Sequence, residues 1–574
     1  MRRYKKFLSC FIIIGTLVFV TSTRVVYAQN VNDSSLSEKA LRQSQTPEII
    51  PNKKTSPDIF IQDSRKLVDP GAGPSFFVKK IILEGNTIFN NDTLLPIVEV
   101  GDGLNLTLGI LALMAQEVSA YYASEGYFLA RAYIPQQEVK DGVVKIKIVE
   151  GKIGKINITG NKKVKTTDIQ KHLGELRQKS VVKEQALESV LDDLNSLMGM
   201  NVRTILRPGE LPGTSDLILD VTETPPYFFS LDTDNFGSKY LGKNRLGMTL
   251  IRGNIFTLGD QFTIRGVTSD LKQDSVSLSY LYPLFIPNLN VGTSYSYSEQ
   301  EIGANLKNLQ SGGLSESANV NLSYTLYRTK NSQLRLKGGF EFKRSQNYLF
   351  NMTSSDEHFN NFYINLSGNF TDRFQGMNFF STTVTKGIAE NKRNRALNSR
   401  TEALGNVTSV WFSVNRYQRL PFFDSYVLMK GTAQAVSART LSSNLFVIGG
   451  MGSVRGFPLS EYSGDNGYIA SLEYVLPVPL KINSGIADLP LNKILSINGF
   501  IDHGESFMLR KQIGDSNASI SGVGGGAQLN IPQGKDWMPA ITVATSYAVP
   551  VRGPRPSDMS YGKFYFNVMA SYTF

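Results

Sequence analysis

The sequence predicts a transmembrane β-barrel of sixteen antiparallel strands preceded by two small α/β domains. Three observations support this fold class: an export signal opens the chain, a β-α-α-β-β order of elements occurs twice, and sixteen runs of alternating polar and apolar residues follow. An even number of strands is typical of single-chain barrels in bacterial outer membranes.

Residues 1–28 have the features of a secretory signal peptide. Basic residues at positions 2, 3, 5 and 6 precede an apolar run from Phe7 to Val20, and Val26–Ala28 forms a small-residue cleavage pattern. A lipoprotein is the alternative, but a lipid-modified cysteine follows the apolar region, whereas here the bulk of that region follows Cys10. Cys10 is the only cysteine, so the mature chain is expected to contain no disulfide.

The composition fits a barrel. No run of eighteen apolar residues follows the signal, and the chain has 50 glycines, 33 phenylalanines and 25 tyrosines. The formal charge of +11 comes partly from five basic residues in the signal peptide, and no block of basic residues alternates with aromatic ones. We therefore expect no nucleic-acid partner.

Residues 29–74 predict an extended linker, because they are polar and contain five prolines. A short helix is predicted within it from about Ser34 to Gln45, where Leu36, Ala40 and Leu41 have helical spacing.

Residues 75–151 and 152–224 form the two α/β units, each with one strand, two helical segments and two further strands. Gly85-Asn86 follows the first strand of one unit and Gly160-Asn161 follows the first strand of the other. The remaining predicted elements are strands Phe77–Leu83, Phe128–Ile134, Val143–Val149, Ile153–Ile158, Val202–Leu206 and Leu217–Val221, and helices ending at Gly126 and spanning Lys183–Met198.

Residues 225–574 predict the barrel. The sixteen strand cores begin near Tyr227, Asn244, Asp260, Asp274, Leu289, Ser315, Gln333, His358, Gly376, Leu404, Ser425, Gly467, Ile494, Ile520, Met538 and Gly562. In the last strand the apolar residues share one face, and Phe574 ends the chain as an aromatic. A soluble β-sandwich is the alternative, but sixteen long strands exceed what one sandwich contains.

A long segment at 438–466 separates the eleventh and twelfth strands and contains the tetrad Val454, Arg455, Gly456 and Phe457. Downstream, Phe500, Asp502 and Gly504 form a Phe-x-Asp-x-Gly pattern on the thirteenth strand. Both motifs resemble those of the TpsB transporters of two-partner secretion, whose conserved loop folds back into the barrel. Leu129–Gln136, Asp141-Gly142 and Glu150-Gly151 resemble the first TpsB-type POTRA domain, and the 206–209 and 213–217 segments resemble the second.

Alternation along the thirteenth strand independently indicates that Asp502 faces the lumen, because Leu495, Ile497 and Ile501 occupy the opposite face. We predict a charge-assisted bond from Arg455 to Asp502, with Glu473 as the alternative partner. The competing interpretation is an exposed loop arginine and an ordinary lumen carboxylate. Gly522, Gly524 and Gly526 on the next strand would leave room for the loop.

No catalytic, metal or cofactor site is predicted. His172, His358 and His503 lie in different elements, and the glycines at 522–526 lack the lysine of a phosphate-binding loop. No nucleophile and base with a catalytic pattern stand out.

The resemblance implies a transporter in the outer membrane of a Gram-negative bacterium, with periplasmic POTRA domains that capture a large unfolded exoprotein of the TpsA type and pass it through the barrel without ATP. It also implies that Ser34–Gln45 fills the pore at rest, that Phe574 is an assembly signal, and that lipid and the barrel-assembly machinery are partners. The client could be an adhesin, a cytolysin that requires activation, or a toxin. Two alternatives stay open: an assembly factor that inserts other outer-membrane barrels, and a passive porin or barrel enzyme.

Overall fold

The computed structural model describes residues 59–61 and 69–574, apart from gaps at 175, 177–179, 285, 287, 330, 389–396, 481, 483–488 and 535–537. The predicted signal peptide at 1–28 and the predicted helix at 34–45 lie outside the described residues. Within the described ranges, no helix has the length and hydropathy needed to cross a membrane.

The first α/β unit packs two helices against a small sheet. Its elements are β2 (Ser75–Val78), β3 (Lys80–Glu84), α1 (Asn91–Val98), β4 (Leu104–Thr107), α2 (Leu108–Ser124), β5 (Arg131–Tyr133) and β6 (Val143–Val149). Helix α2 begins where the Thr107 hydroxyl accepts from the N–H of Ile110, and it buries Leu111, Val118 and Tyr122 at helical spacing. The three-stranded sheet has the order β3-β6-β5.

The predicted single strand Phe77–Leu83 is in fact two strands. The N–H groups of Lys79 and Lys80 both donate to the carbonyl oxygen of Gly142, at 2.7 and 3.3 Å, which turns the chain between β2 and β3. Strand β2 consequently leaves the main sheet and pairs with β4, a strand that the hydrophobic pattern did not predict.

The second unit repeats the plan with β7 (Lys152–Thr159), α3 (Thr166–Lys171), α4 (Glu184–Ser196), β8 (Met200–Pro208) and β9 (Thr214–Glu223). Its sheet has a fourth strand, β1 (Ile59–Ile61), which pairs in parallel with the outer edge of β8. The linker is therefore not extended coil throughout, because this short apolar stretch supplies an added strand.

The duplication extends to individual hydrogen bonds. A Cβ atom added to Gly85 or to Gly160 would lie 2.3 Å from a carbonyl oxygen of the neighbouring strand, so neither position accommodates a side chain. Asn86 and Asn161 each donate a side-chain N–H to the carbonyl three residues later, at 2.9 and 2.8 Å. The Gly-Asn pair therefore builds the same turn in both units.

A carboxylate closes each turn. Glu150 accepts from the N–H groups of Thr87 and Ile88, at 2.5 and 2.6 Å, and from the Tyr122 hydroxyl at 3.0 Å. Glu223 accepts from three consecutive N–H groups of the corresponding turn. Burial by itself raises the pKa of Glu150, but the hydrogen bonds from Thr87 and Ile88 outweigh it and lower the pKa below 4.5. The pKa of Glu223 is lowered in the same way.

We expect both α/β units to lose stability in acid. A carboxylate whose pKa is lower in the folded state stabilises the fold above its unfolded pKa of 4.5, and this contribution disappears as the pH falls through the folded pKa. Amide hydrogen exchange of the two units, corrected for intrinsic rates, should therefore accelerate as the pH falls below 4.5. The double variant Glu150→Gln/Glu223→Gln should show less acid dependence; an unchanged dependence would contradict this assignment.

The barrel is closed and has sixteen strands in sequence order. They are β10 (Tyr227–Asp234), β11 (Arg245–Gly253), β12 (Gln261–Ser269), β13 (Gln273–Pro283), β14 (Leu289–Glu301), β15 (Gly312–Thr329), β16 (Ser332–Leu349), β17 (Met352–Thr371), β18 (Met377–Gly387), β19 (Thr408–Arg419), β20 (Tyr426–Val436), β23 (Asn466–Pro477), β24 (Leu495–Phe507), β25 (Ala518–Ile531), β26 (Ala540–Arg552) and β27 (Lys563–Thr573). A short helix, α5 (Leu491–Ile494), precedes β24.

Each predicted run corresponds to one barrel strand. The largest offset is in β17, which begins at Met352 rather than His358 because polar residues there continue the pairing with β16 beyond the alternating pattern. The predicted facing of the last strand is also confirmed, since Phe564 is 56% exposed on the outer surface and Tyr565 is 6% exposed.

The second α/β unit is joined to one end of the barrel, which we call the proximal end. Leu258, in the turn between β11 and β12, belongs to the hydrophobic core of that unit. Asn254 in the same turn donates to the carbonyl oxygen of Met198 at 2.8 Å. Arg328, at the end of β15, forms an ion pair with Asp193 on α4 at 2.5 Å. The opposite end of the barrel is the distal end.

Candidate functional site

The segment between β20 and β23 leaves the distal end and packs inside the barrel. It contains a hairpin of β21 (Phe446–Ile448) and β22 (Tyr462–Gly464). Phe446, Val454 and Phe457 are at most 1% exposed and form one cluster with side chains of β23 and β25. The interior of the barrel is thus partly filled by this inserted loop, as the resemblance of its motif implied.

Arg455 at the tip of the loop binds Asp502 on β24. Its Nε and Nη2 atoms donate to the two carboxylate oxygens at 2.7 and 2.8 Å, and its main-chain N–H donates at 3.1 Å. Asp502 is fully buried and Arg455 is 6% exposed, so Arg455 is not an exposed loop arginine. The predicted Arg455–Asp502 bond is present, with the bidentate geometry of a strong charge-assisted contact.

Glu473 on β23 is a second partner rather than an alternative one. Nη1 of Arg455 donates to its carboxylate at 2.9 Å, and Asn498 donates to the other oxygen at 2.5 Å. The guanidinium carbon lies 3.3 Å from the ring centroid of Phe500. One arginine therefore uses its planar fork on two carboxylates and its face on an aromatic ring, which a lysine could not reproduce.

Glycines of the two motifs and of β25 leave space for the loop tip. Gly456 has φ +95°, a backbone conformation that side chains disfavour. A Cβ atom added to Gly504 would lie 2.9 Å from Cγ2 of Val454, and one added to Gly522 would lie 1.8 Å from the carbonyl oxygen of Arg455. The barrel wall is thus shaped to receive the loop.

Tyr565 ties the tip to the last barrel strand. Its hydroxyl accepts from the N–H of Gly456 at 3.2 Å and donates to the carbonyl oxygen of Phe457 at 3.4 Å. Together with the Glu473 and Asp502 contacts, this connects the loop tip to the three strands β23, β24 and β27.

Three contributors to the site were not predicted: Tyr565, Asn498 and Ser471, whose hydroxyl donates to Asp502 at 2.7 Å. The alternation of inward-facing and outward-facing residues along the barrel strands could have indicated all three. Asn498 shares a strand face with Asp502, Ser471 shares one with Glu473, and Tyr565 lies opposite the face that carries Phe564 and Phe566 in the last strand.

Phe574 lies elsewhere, at the proximal end. Its N–H donates to the carbonyl oxygen of Tyr227 at 3.0 Å, and its ring contacts those of Tyr227 and Tyr572. Its role as an assembly signal stays a prediction.

The polar groups of the site are satisfied by one another, and the arrangement anchors a loop. A closed sixteen-stranded barrel, two tandem α/β domains and a loop anchored to the inner wall define a POTRA-containing outer-membrane transporter. The chain belongs to the haemolysin secretion/activation protein family ShlB/FhaC/HecB, whose model matches residues 213–529. The ShlB-type POTRA domain model matches residues 76–151.

Individual relatives are similar over most of the chain. The heme/hemopexin transporter protein HuxB of Haemophilus influenzae is 24% identical over 89% of this chain and 92% of its own length. The outer membrane transporter CdiB of Dickeya dadantii is 25% identical over 80% of this chain and 82% of its own. The solved structure of CdiB from Escherichia coli covers 96% of this chain and 100% of its own with a TM-score of 0.71; at 18% identity, this likeness concerns the fold alone.

Proposed function

We propose that this chain captures an unfolded partner exoprotein at its POTRA domains and exports it through the barrel lumen without ATP. In this arrangement the POTRA domains lie in the periplasm and the distal end of the barrel faces outward. The exposed apolar residues of the strands face lipid, and the barrel-assembly machinery inserts the chain. We propose transport without catalysis.

One observation carries the recognition step: the edge of the second POTRA sheet accepts an added strand. Strand β1 pairs with β8 through Ile59↔Thr204, Phe60↔Ile205 and Ile61↔Leu206. An edge strand offers main-chain donors and acceptors to any extended segment, with limited dependence on its sequence. An extended client segment would use the same groups, so it would compete with β1 for β8.

The first POTRA domain offers a less accessible edge. The N–H of Ala132 on β5 already donates to the hydroxyl of Ser119 on α2, at 2.8 Å. Helix α2 thereby occupies part of the position that an added strand would need. We therefore assign client recognition to β8 rather than to β5.

Directionality in this proposal comes from the client itself. The client enters extended, moves through the lumen past the inserted loop, and folds outside. Folding buries apolar surface and removes the extended chain from the equilibrium, so backward movement becomes unfavourable.

Locking β1 onto β8 tests the recognition step. Because Cys10 lies in the signal peptide, the variant Phe60→Cys/Ile205→Cys would carry the mature chain's only cysteines, at positions that are register partners. Under oxidising conditions we expect export of the exoprotein to fall towards the level of a gene-deleted strain, and reductant should restore it. The exoprotein in the culture supernatant is the readout.

The control is Asn157→Cys/Ile218→Cys, which links register partners of β7 and β9 inside the same sheet. It should export normally in both redox states. Normal export by a fully cross-linked β1–β8 variant would show that the client does not need this edge.

An assembly factor that inserts barrels is the second candidate, and the seam of this barrel disfavours one that works by opening its first and last strands. Residues 228–234 of β10 pair with 567–573 of β27. The seam is extended at the distal end by the Asn235 side chain, which bonds the backbone of Phe564 and Phe566 at 2.9 Å, and at the proximal end by the Phe574–Tyr227 bond. A passive porin or a barrel enzyme would have no use for tandem POTRA domains.

A further inference from the structure

A second buried ion cluster lies at the distal mouth of the barrel, apart from Arg455. It consists of Arg400, Arg439, Asp465 and Asp515, and we call these four residues the clasp. Arg439 and Asp465 lie at the two ends of the inserted loop, where it leaves β20 and joins β23. Arg400 comes from the β18–β19 connection and Asp515 from the β24–β25 connection. The clasp therefore joins three separate distal loops.

Asp465 is the centre of the clasp and is fully buried. It accepts from Nη1 and Nη2 of Arg400 at 2.8 and 3.2 Å. It also accepts from the N–H groups of Thr440 and Leu509, each at 2.8 Å. One carboxylate thus connects both ends of the inserted loop to the two neighbouring loops.

Arg439 makes the complementary set of contacts and is 4% exposed. Its Nε donates to the carbonyl oxygen of Thr401 at 3.0 Å. Its Nη1 pairs with Asp515 and also donates to the carbonyl oxygens of Leu509 and Arg510, at 3.4 and 3.3 Å. With two arginines and two aspartates the clasp is formally neutral, and each charge has a partner.

A further buried carboxylate also holds the β18–β19 connection and the inserted loop. Glu357, near the distal end of β17, is 1% exposed. It accepts from the N–H of Ser399 at 2.9 Å and from the Ser443 hydroxyl. The inserted loop is thereby also connected to the barrel rim.

Ion pairs are well suited to hold together loops that have to separate during export. Burying paired charges yields little net stability over apolar packing, because desolvation offsets most of the attraction. When such a cluster separates into water, the charges are hydrated again, whereas an apolar closure would expose surface that binds an unfolded client. A clasp of this kind can hold a closed state that differs from the open state by a small free energy.

We propose that the clasp is an exit lock: it holds these three distal loops together at rest and releases them when the client emerges. This inference rests on the proposed export function. It is independent of the Arg455 anchor, which fixes the tip of the loop while the clasp fixes its two ends.

A disulfide across the clasp tests the release step. Leu404 and Thr440 are partners in a β-bridge between the β18–β19 connection and the inserted loop, and strand neighbours about 5 Å apart fall within the Cα range of disulfides. The Thr440 hydroxyl is buried without a hydrogen-bond partner among the described residues, so a cysteine there removes no side-chain bond. In cells that secrete the exoprotein, oxidised Leu404→Cys/Thr440→Cys should secrete none, and external reductant should restore secretion.

The matched control is Asn244→Cys/Asp270→Cys, which links the ends of β11 and β12 at the same mouth but does not cross the clasp. It should secrete normally when oxidised. Normal secretion by the fully cross-linked Leu404–Thr440 variant would overturn the exit lock. If deleting the gene left secretion unchanged, the export function itself would fail instead.

Conductance provides a second readout that does not need the client. Arg439→Gln/Asp515→Asn removes one ion pair of the clasp without changing its formal charge, and we expect a severalfold higher potassium chloride conductance in planar bilayers. The control Lys272→Gln/Glu301→Gln removes an exposed pair at the same end and should conduct like the parent. Equal conductance of these two variants would overturn the exit lock. If the Leu404→Cys/Thr440→Cys variant fails to secrete even when its disulfide is reduced, the conductance comparison is the test of the exit lock.

Discussion

Replacing Arg455 by glutamine is expected to abolish export of the exoprotein while the barrel still inserts into the outer membrane. The substitution leaves Asp502 and Glu473 buried without their shared cation. Removing one partner of a buried ion pair costs about 3–5 kcal/mol, which is enough to release the loop tip from the wall. The measurement is the amount of exoprotein in the supernatant, normalised to the amount of transporter in the outer membrane.

Two controls separate the anchor from charge in general. Arg455→Lys keeps the positive charge but loses the planar fork, so we expect a severe but incomplete defect. Arg373→Gln removes an exposed arginine from the β17–β18 turn and should export normally. Normal export by the Arg455→Gln variant would refute a functional role for the anchor.

Replacing Gly522 by alanine is expected to expel the loop tip without changing any charge. The added methyl group would lie 1.8 Å from the carbonyl oxygen of Arg455, a distance that the rigid strand cannot relieve, so the loop has to move. Export should fall as in the Arg455→Gln variant, and amide hydrogen exchange in residues 446–457 should accelerate.

Gly499→Ala is the matched control for this prediction. Gly499 is on the adjacent strand β24, and the nearest atom to an added methyl group there is 4.0 Å away. This variant should export normally and keep the loop protected. If the Gly522→Ala variant also exported normally and kept the loop protected, close packing of the loop tip against β25 would not be needed for export.

The sequence predicts the barrel well because each strand carries its own pattern of alternating lipid-facing and lumen-facing residues. Lipid on one side and the lumen on the other impose alternation on every strand, so the strand positions and the inward facing of Asp502 follow from a period of two. The Arg455–Asp502 bond was also predictable, because both residues lie in motifs that resemble those of the TpsB transporters and the alternation places Asp502 on the lumen face.

The less predictable features depend on contacts between distant segments. The break at Lys79 requires the carbonyl group of Gly142, and the pairing of β1 requires the edge of β8. The residues around Lys79 and those of β1 carry no sequence pattern that indicates these distant partners. Arg400 and Asp465 lie in irregular loops, where no period indicates which side chains face each other. Glu473 was predicted as a competitor of Asp502 because a strand pattern cannot show that one guanidinium reaches both.

The central claim, export of one dedicated partner, is tested most directly by comparing the proteins of the culture supernatant and of the outer membrane in the parent strain and in a strain lacking this gene. We predict that one large exoprotein disappears from the supernatant while the outer-membrane proteins stay unchanged. A broad fall in many outer-membrane barrels would contradict the account and identify an assembly factor, and no change in either fraction would leave only a passive pore.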